Sequence, residues 1–258
     1  MRRTPGATAP LVIAHRGASG RAPENTLAAY ALAVEQRADM IEIDLHRTRD
    51  AAIVVIHDAD LRGLGGRGEI ADATLEEVRA LDAGSGQRVP TLDEVLDRFG
   101  EQIAFNLELK SGSRGAYAGL ERAAVEAVER RGLLARTLFS SFEDDILERL
   151  RDCAPAARIG VLVSRRAPDR WLARARAVAA EAVHLASSLL DAARVERAHA
   201  ADLSVFVYTV DALAAMRRLI ALGVDGLFTN FPDRMRALLD GTERGSPARR
   251  RGERRDEA

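Results

Sequence analysis

Residues 40–46 read MIEIDLH and alternate apolar with polar side chains. Successive side chains of a β-strand point to opposite sides, so Glu42 and Asp44 share one face of a strand. Residues 106–110 read NLELK and repeat this alternation. Charged side chains would be very costly to bury against an apolar helix layer. We therefore expect both strands to belong to a barrel and to direct their charges inward, near the carboxyl-terminal mouth.

Six further apolar runs of strand length alternate with segments of helical period along the chain. We expect strands at 11–15, 40–46, 103–109, 136–140, 158–163, 182–186, 203–210 and 224–229, and helices at 26–36, 91–98, 115–131, 143–151, 168–180, 191–201, 212–222 and 232–239. This repeated βα order predicts a parallel sheet, and eight strands are the number of a closed (β/α)8 TIM barrel. The chain length of 258 residues fits one such domain over residues 10–240.

The connection after the second strand is longer than a usual βα loop. Residues 47–90 contain a short strand at 53–57, a loop with four glycines and one short helix. Long loops of barrels usually carry function, so we expect this small insertion to cover part of the active-site mouth. Thr74 and Thr91 each precede a glutamate by three residues and predict capping boxes. Residues 241–258 carry dense mixed charge without an apolar face, which predicts a disordered tail.

Charge and composition exclude several classes of function. The formal net charge is -1 and the sequence pI is 6.6, so we expect no nucleic-acid partner and no attraction to an anionic membrane. The apolar run at 11–14 is too short for a secretion signal, and nothing approaches the roughly 20 residues of a membrane span. The single cysteine, Cys153, cannot form an intrachain disulfide. We expect a cytoplasmic protein that acts on a small molecule.

Three carboxylates are expected to converge at the mouth, from Glu42, Asp44 and Glu108. They would repel one another unless a positive charge lies between them, and a divalent cation is the economical solution. Ligands that are all oxygen favour Mg²⁺ or Ca²⁺ over zinc. The alternative is an ion-pair network of these acids with Lys110 and Arg16, and we favour the metal site.

Two histidines, His15 and His57, each end a strand beside these acids. A histidine pair can serve as general base and general acid near neutral pH. Arg16 can form a forked pair with phosphate oxygens. Lys110 is the only lysine among 38 basic residues, which marks it as a functional candidate. Together these residues predict a metal-dependent phosphodiester hydrolase.

Several other residues are interpreted as structural. Asn25 or Thr26 can cap the first helix. His46 is expected at a loop junction and, like His184 and His199, is interpreted as non-catalytic. These residues are not expected to take part in the reaction.

The motifs also occur in an order that belongs to a known family. They are His15-Arg16-Gly17, PENT at 23–26, Glu42-Ile43-Asp44, VVIHD at 54–58, VPTLDE at 89–94 and NLELK at 106–110. Over residues 11–239 the chain resembles the glycerophosphodiester phosphodiesterases. The resemblance implies an eight-stranded barrel that releases glycerol 3-phosphate and an alcohol. It also implies that the three acids bind Ca²⁺ or Mg²⁺, that the two histidines act as acid and base, and that Arg16 and Lys110 hold phosphate.

The chain departs from the family pattern at three places. Ala51 stands where the family commonly has glycine, and Asn230 follows Thr229 where it commonly has aspartate. Tyr208 replaces a common tryptophan, so we expect it to line the pocket and to affect substrate specificity.

Three alternative functions differ from the favoured one. A lysophospholipase D-type phosphodiesterase acting on lysophospholipids would need an apolar path at the mouth. A non-catalytic barrel that binds phosphate esters would be expected to lack a histidine or carboxylate, and none is missing. A metal-dependent amidohydrolase is disfavoured, because the early histidine pair usual in that class is absent from the sequence.

Overall fold

The computed structural model describes residues 9–165 and 168–241. The strands are β1 Leu11–His15, β2 Met40–Arg47, β3 Ile53–Val55, β4 Ala104–Leu109, β5 Ser111–Gly112, β6 Gly115–Ala116, β7 Thr137–Ser141, β8 Arg158–Val163, β9 Ala182–Ala186, β10 Ser204–Tyr208 and β11 Gly226–Thr229. The helices are α1 Leu27–Glu35, α2 Leu75–Arg79, α3 Leu92–Phe99, α4 Leu120–Glu129, α5 Asp144–Cys153, α6 Trp171–Ala177, α7 Ala192–His199, α8 Leu213–Ala221 and α9 Pro232–Leu239. The predicted tail, 241–258, lies outside the described residues from 242 onward.

Eight of these strands form one closed parallel sheet. They follow the order β1, β2, β4, β7, β8, β9, β10 and β11, and β1 pairs with both β2 and β11. Helices lie between successive barrel strands along the chain, as parallel pairing requires. The predicted (β/α)8 TIM barrel is therefore confirmed.

The barrel interior is built in layers that follow the alternation of each strand. The layer nearer the amino ends of the strands is apolar and comprises Ile13, Met40, Leu138, Ala182, Phe206 and Phe228. Two residues closer to the carboxyl ends of the strands, His15 of β1 is paired with Glu42 of β2. Asp44 of β2, two residues beyond Glu42, is paired with Glu108 of β4. The intervening apolar residues of β2 pack in the core against the helices. The charged side chains therefore point inward at the carboxyl ends of the strands, as their spacing predicts.

The segment after β2 forms a small unit of its own. Its strand β3 runs antiparallel to β2, and the segment has a separate apolar core around Val54, Ile70 and Val78. The capping boxes predicted at Thr74 and Thr91 are confirmed at the starts of α2 and α3.

The helix predicted at 115–131 begins later than the sequence indicated. Strand β6, which pairs with β5, occupies its first two residues, and α4 begins at Leu120. Gly115 and Gly119 have φ angles of +96° and +72°, which favour glycine and interrupt a helix. Tyr117 lies between them and is buried, and its hydroxyl lies 2.7 Å from Nδ1 of His46. No helix within the described ranges is long and apolar enough to cross a bilayer.

Candidate active site

Three buried carboxylates meet at the carboxyl-terminal mouth. Glu42 and Asp44 come from β2 and Glu108 from β4, and they offer oxygen atoms that all lie within 4.8 Å of one another. Their residues are 2%, 1% and 8% exposed. Glu42 Oε1 is buried and has no hydrogen-bond partner among the described residues. Such a cluster could hold a divalent cation, because an unpaired buried carboxylate oxygen otherwise lacks compensation.

Two cations partly balance these acids. Lys110 Nζ lies 3.0 Å from Asp44 Oδ1 and 2.7 Å from Glu108 Oε1. Arg16 Nε lies 3.3 Å from Asp44 Oδ2 as a charge pair without hydrogen-bond geometry. The ion-pair network considered from the sequence therefore exists, but it engages Asp44 and Glu108 more fully than Glu42.

The pKa values of the acids reflect this unequal pairing. Burial alone would raise the pKa of Asp44, but the charges of Lys110 and Arg16 hold it well below its usual value. Burial, and then the charges of Asp44 and Glu108, raise the pKa of Glu42 well above its usual value. A bound cation would relieve this repulsion at Glu42.

His15 is oriented by residues near the end of the chain. Its Nδ1 lies 2.8 Å from Asn230 Oδ1, and Asn230 Nδ2 donates to Asp211 Oδ2 at 2.8 Å. The Asp211 carboxylate can only accept, so it fixes the amide orientation, and Nδ1 of His15 must carry the hydrogen. In the neutral ring Nε2 is then an acceptor. Burial, and then the charge of Arg16, lower the pKa of His15. The sequence marked Asn230 only as a departure from the family pattern.

His57 has different partners. It follows β3, its side chain is 35% exposed, and its Nδ1 lies 2.7 Å from Asp58 Oδ1. Its main-chain oxygen accepts a hydrogen bond from Nε2 of His46 at 3.0 Å. The Asp58 carboxylate can only accept, so Nδ1 of His57 carries a hydrogen and the ring is held in one orientation.

One cavity of about 220 Å³ joins these groups. His15, Arg16, Glu42, His57, Glu108 and Lys110 line it, and Tyr208 lines its opposite, more apolar wall with Phe142, Leu162 and Phe228. The Tyr208 hydroxyl donates to Val163 O at 2.7 Å, so Tyr208 presents its ring to the cavity. The structure thus brings all the predicted site residues to one mouth, with Asp44 buried behind Lys110 and Arg16.

Two residues interpreted as structural have contacts with the site. Asn25 Nδ2 donates to Asp44 Oδ2 at 2.8 Å, while Thr26 alone caps α1, so Asn25 holds a carboxylate of the acidic cluster. His46 lies within β2 and not at a loop junction, and it contacts the backbone of His57. Neither contact follows from local sequence, because both partners are brought close by the fold.

The other two histidines lie away from this mouth. His184 is fully buried inside the barrel, and His199 bonds to Asp225 with Nε2 at 2.8 Å from Oδ2.

The fold and site define a class of protein. Two imidazoles beside cations that can hold an anion and acids that can hold a metal are groups with which a phosphodiester can be hydrolysed. The model of the glycerophosphoryl diester phosphodiesterase family matches residues 15–234. The chain belongs to this family.

Relatives and solved structures agree with this assignment. The chain is similar to the glycerophosphodiester phosphodiesterase of Caldanaerobacter subterraneus, with 37% identity over 89% of this chain and 97% of the relative. It is also similar to a glycerophosphodiester phosphodiesterase of Bacillus subtilis, with 33% identity over 86% and 84% of the two chains. A phosphodiesterase of Oleispira antarctica, solved with the product sn-glycerol-3-phosphate, has a TM-score of 0.80 and 33% identity over 90% of this chain and 97% of that one. A glycerophosphodiester phosphodiesterase of Agrobacterium tumefaciens has a TM-score of 0.76 and 27% identity over 88% and 99%.

Proposed function

We propose that this enzyme hydrolyses glycerophosphodiesters to glycerol 3-phosphate and an alcohol, with a divalent cation held by Glu42, Asp44 and Glu108. The observation that carries the proposal is the meeting of two differently bonded histidines with this acidic cluster at one cavity. The Oleispira antarctica structure, which contains sn-glycerol-3-phosphate, supports the proposed product.

The residues fit a hard cation. All three candidate ligands are carboxylates, which suits Mg²⁺ or Ca²⁺, and Glu42 Oε1 has no other partner among the described residues. When bound, such an ion supplies positive charge that stabilises the negative charge developing on the phosphoryl oxygens. Asn25 and Lys110 keep Asp44 oriented for this role.

We assign the two roles from the partners of each ring and from the lowered pKa of His15. Nε2 of His15 is an acceptor, so His15 takes the proton from the nucleophile, which is water or the substrate's own glycerol hydroxyl. His57, held at Nδ1 by Asp58, donates its Nε2 proton to the oxygen of the departing alcohol. The two rings then hold the opposite protonation states, and exchange with water restores them.

The cations hold the substrate. The Arg16 guanidinium lines the cavity and can bind two non-bridging phosphate oxygens, for which its planar fork is suited. The Lys110 ammonium lies on the same wall and adds charge that stabilises the transition state.

The decisive test is metal-stripped enzyme assayed on glycerophosphocholine and glycerophosphoethanolamine, with Mg²⁺ or Ca²⁺ restored separately. We expect activity only with a restored cation, and equal activity after chelation would contradict the proposal. Lysophosphatidylcholine should be assayed in parallel, because Phe142 is 36% exposed at the cavity rim and could contact an acyl chain. Preference for that substrate would favour the lysophospholipase D alternative.

A further inference from the structure

We propose that His46 and Tyr117 form a positioning pair that fixes the main chain of His57 and thereby aims the acid imidazole at the leaving alcohol. The proposal rests on the function proposed above. It concerns residues that lie behind His57, outside the set of groups that would touch the substrate.

The first observation is a hydrogen bond from a buried side chain to the backbone of His57. His46 is 1% exposed, and its Nε2 lies 3.0 Å from the main-chain oxygen of His57. A carbonyl oxygen can only accept, so Nε2 of His46 must carry the hydrogen. This holds whether the His46 ring is neutral or charged.

The second observation is a partner that holds the His46 ring itself. The Tyr117 hydroxyl lies 2.7 Å from His46 Nδ1, and the two rings meet edge to face with centroids 5.4 Å apart. Beside Tyr117, a guanidinium nitrogen of Arg47 donates to the main-chain oxygen of Ala118. Two neighbouring residues at the end of β2 are thus bonded to the segment that precedes α4.

The third observation is that the other anchor of His57 is weakly protected. Asp58 holds the ring Nδ1, but the Asp58 side chain is 70% exposed to solvent. Exposed pairs of this kind contribute little by themselves. The bond from His46 therefore restrains His57 from a buried side chain, and the buried bond to Tyr117 holds the His46 ring in place. Small misplacements of a catalytic group are enough to slow a reaction strongly.

The test compares His46→Leu and Tyr117→Phe with the wild-type enzyme on two substrates. One is glycerophosphocholine, whose alkoxide leaving group needs a proton. The other is the p-nitrophenyl ester of glycerol phosphate, whose leaving group needs little acid assistance. We expect kcat on glycerophosphocholine to fall about 10- to 100-fold, with KM nearly unchanged, as when a group that orients a functional histidine is lost. On the nitrophenyl ester kcat should fall less than about threefold, because general acid catalysis matters little there.

Two further variants sharpen the test. His46→Gln can still donate and accept, so it should keep most of the wild-type kcat on both substrates. His199→Leu removes a histidine at the other end of the barrel and should change neither rate. The proposal would be overturned if kcat fell equally on the two substrates or if neither His46→Leu nor Tyr117→Phe lowered it. It would also be overturned if His46→Gln were as slow as His46→Leu.

A readout without turnover separates this proposal from the proposed function. The chain has five histidines, so the ring resonance of His57 can be assigned by NMR with a His57→Gln reference. We expect this resonance to move in His46→Leu and Tyr117→Phe, but not in His199→Leu. An unmoved resonance would overturn the positioning role. If the wild-type enzyme hydrolyses neither ester, the proposed function fails, and the NMR result still decides whether the pair holds His57.

Discussion

The two mouths of the barrel differ in a way that volume does not reveal. The cavity at the amino-terminal mouth encloses about 460 Å³, and the cavity that joins the site residues at the carboxyl-terminal mouth encloses about 220 Å³. At the larger cavity two acids have partners, since Arg158 Nε donates to Glu181 Oε2 at 3.0 Å and His199 Nε2 lies 2.8 Å from Asp225 Oδ2. At the smaller one, buried acids share two cations and leave Glu42 Oε1 unpaired. Uncompensated charge, and not size, therefore distinguishes the candidate active site.

The apolar layer of the barrel separates these mouths. Ile13 belongs to this layer and His15, two residues later on β1, belongs to the site. On β10, Phe206 likewise belongs to the apolar layer and Tyr208, two residues later, lines the cavity of the site. Residues two apart on a strand share a face. The same strand therefore contributes an apolar side chain to the core and, two residues later, a side chain to the candidate active site. His184 is the polar exception, buried next to Phe206 and Phe228.

The largest difference between the mouths should appear in turnover. We expect His15→Ala and His57→Ala each to lower kcat by about 10²- to 10⁴-fold, which is the usual contribution of acid–base catalysis. His199→Ala, at the other mouth, is the matched control and should keep wild-type kcat. Steady-state kinetics with circular dichroism as a folding check measures this. Near-normal kcat in both site variants would contradict the assignment of catalysis to the carboxyl-terminal mouth.

Metal binding should also belong to one mouth only. An ion that binds the folded state at 100 times its Kd stabilises it by about 2.7 kcal/mol. We expect Mg²⁺ or Ca²⁺ to raise the Tm of the wild-type protein and of Glu181→Gln, but not of Glu42→Gln. Thermal unfolding with and without each cation provides the measurement. A full rise in Tm for Glu42→Gln would place the ion elsewhere.

The layer between the mouths should make the fold sensitive to acid. Burial lowers the pKa of His184 from its ordinary value of 6.5 to about 3, and neither ring nitrogen has a hydrogen-bond partner among the described residues. Between pH 3 and pH 6.5 the ring is neutral in the folded state and takes up a proton on unfolding. Its contribution to the free energy of unfolding is therefore complete above pH 6.5 and declines as the pH falls toward 3. Lowering the pH from 7 to 5 should therefore reduce the free energy of unfolding by about 2 kcal/mol through His184.

Urea unfolding at pH 7 and pH 5 tests this expectation. His184→Leu should lose less free energy of unfolding between the two pH values than the wild-type protein. Equal losses in the two proteins would show that His184 is not protonated on unfolding in this range.

The smallest effect is expected at the paired charges of the amino-terminal mouth. The side chains of Arg158 and Glu181 are 24% and 44% exposed, and a pair of this kind contributes about 0–1 kcal/mol. Glu181→Gln should therefore change the free energy of unfolding slightly and leave kcat unchanged. A marked fall in kcat, seen in the same assays, would give this mouth a part in the reaction.

The sequence predicted the parts of the molecule that depend on local periodicity. The alternation in β2 and β4 placed Glu42, Asp44 and Glu108 on inward faces, and the register brought them together. The boundary of α4 was wrong because two left-handed glycines, Gly115 and Gly119, set it. A helical pattern of side chains carries no signal of such backbone angles.

The sequence did not predict which residues would support the site. Asn230 lies 215 positions from His15, and Tyr117 lies 71 positions from His46. Asn25 is only 19 positions from Asp44 in the sequence. The two side chains meet only because α1, which lies between them in the sequence, brings the chain back to the barrel beside β1. These bonds join strand ends and loops that approach only after the barrel has closed, so a pattern along the chain does not reveal them.

Sequence alone determined the βα order, the inward direction of the charges and the two histidines at strand ends. These follow from the two-residue repeat of a strand and from the cost of burying charge in an apolar layer. Tertiary structure alone decided that Nδ1 of His15 is held by Asn230, that His46 holds the main chain of His57, and that Glu42 keeps an unpaired oxygen. Hydrogen bonds depend on distance and direction, which distant segments acquire only by packing together.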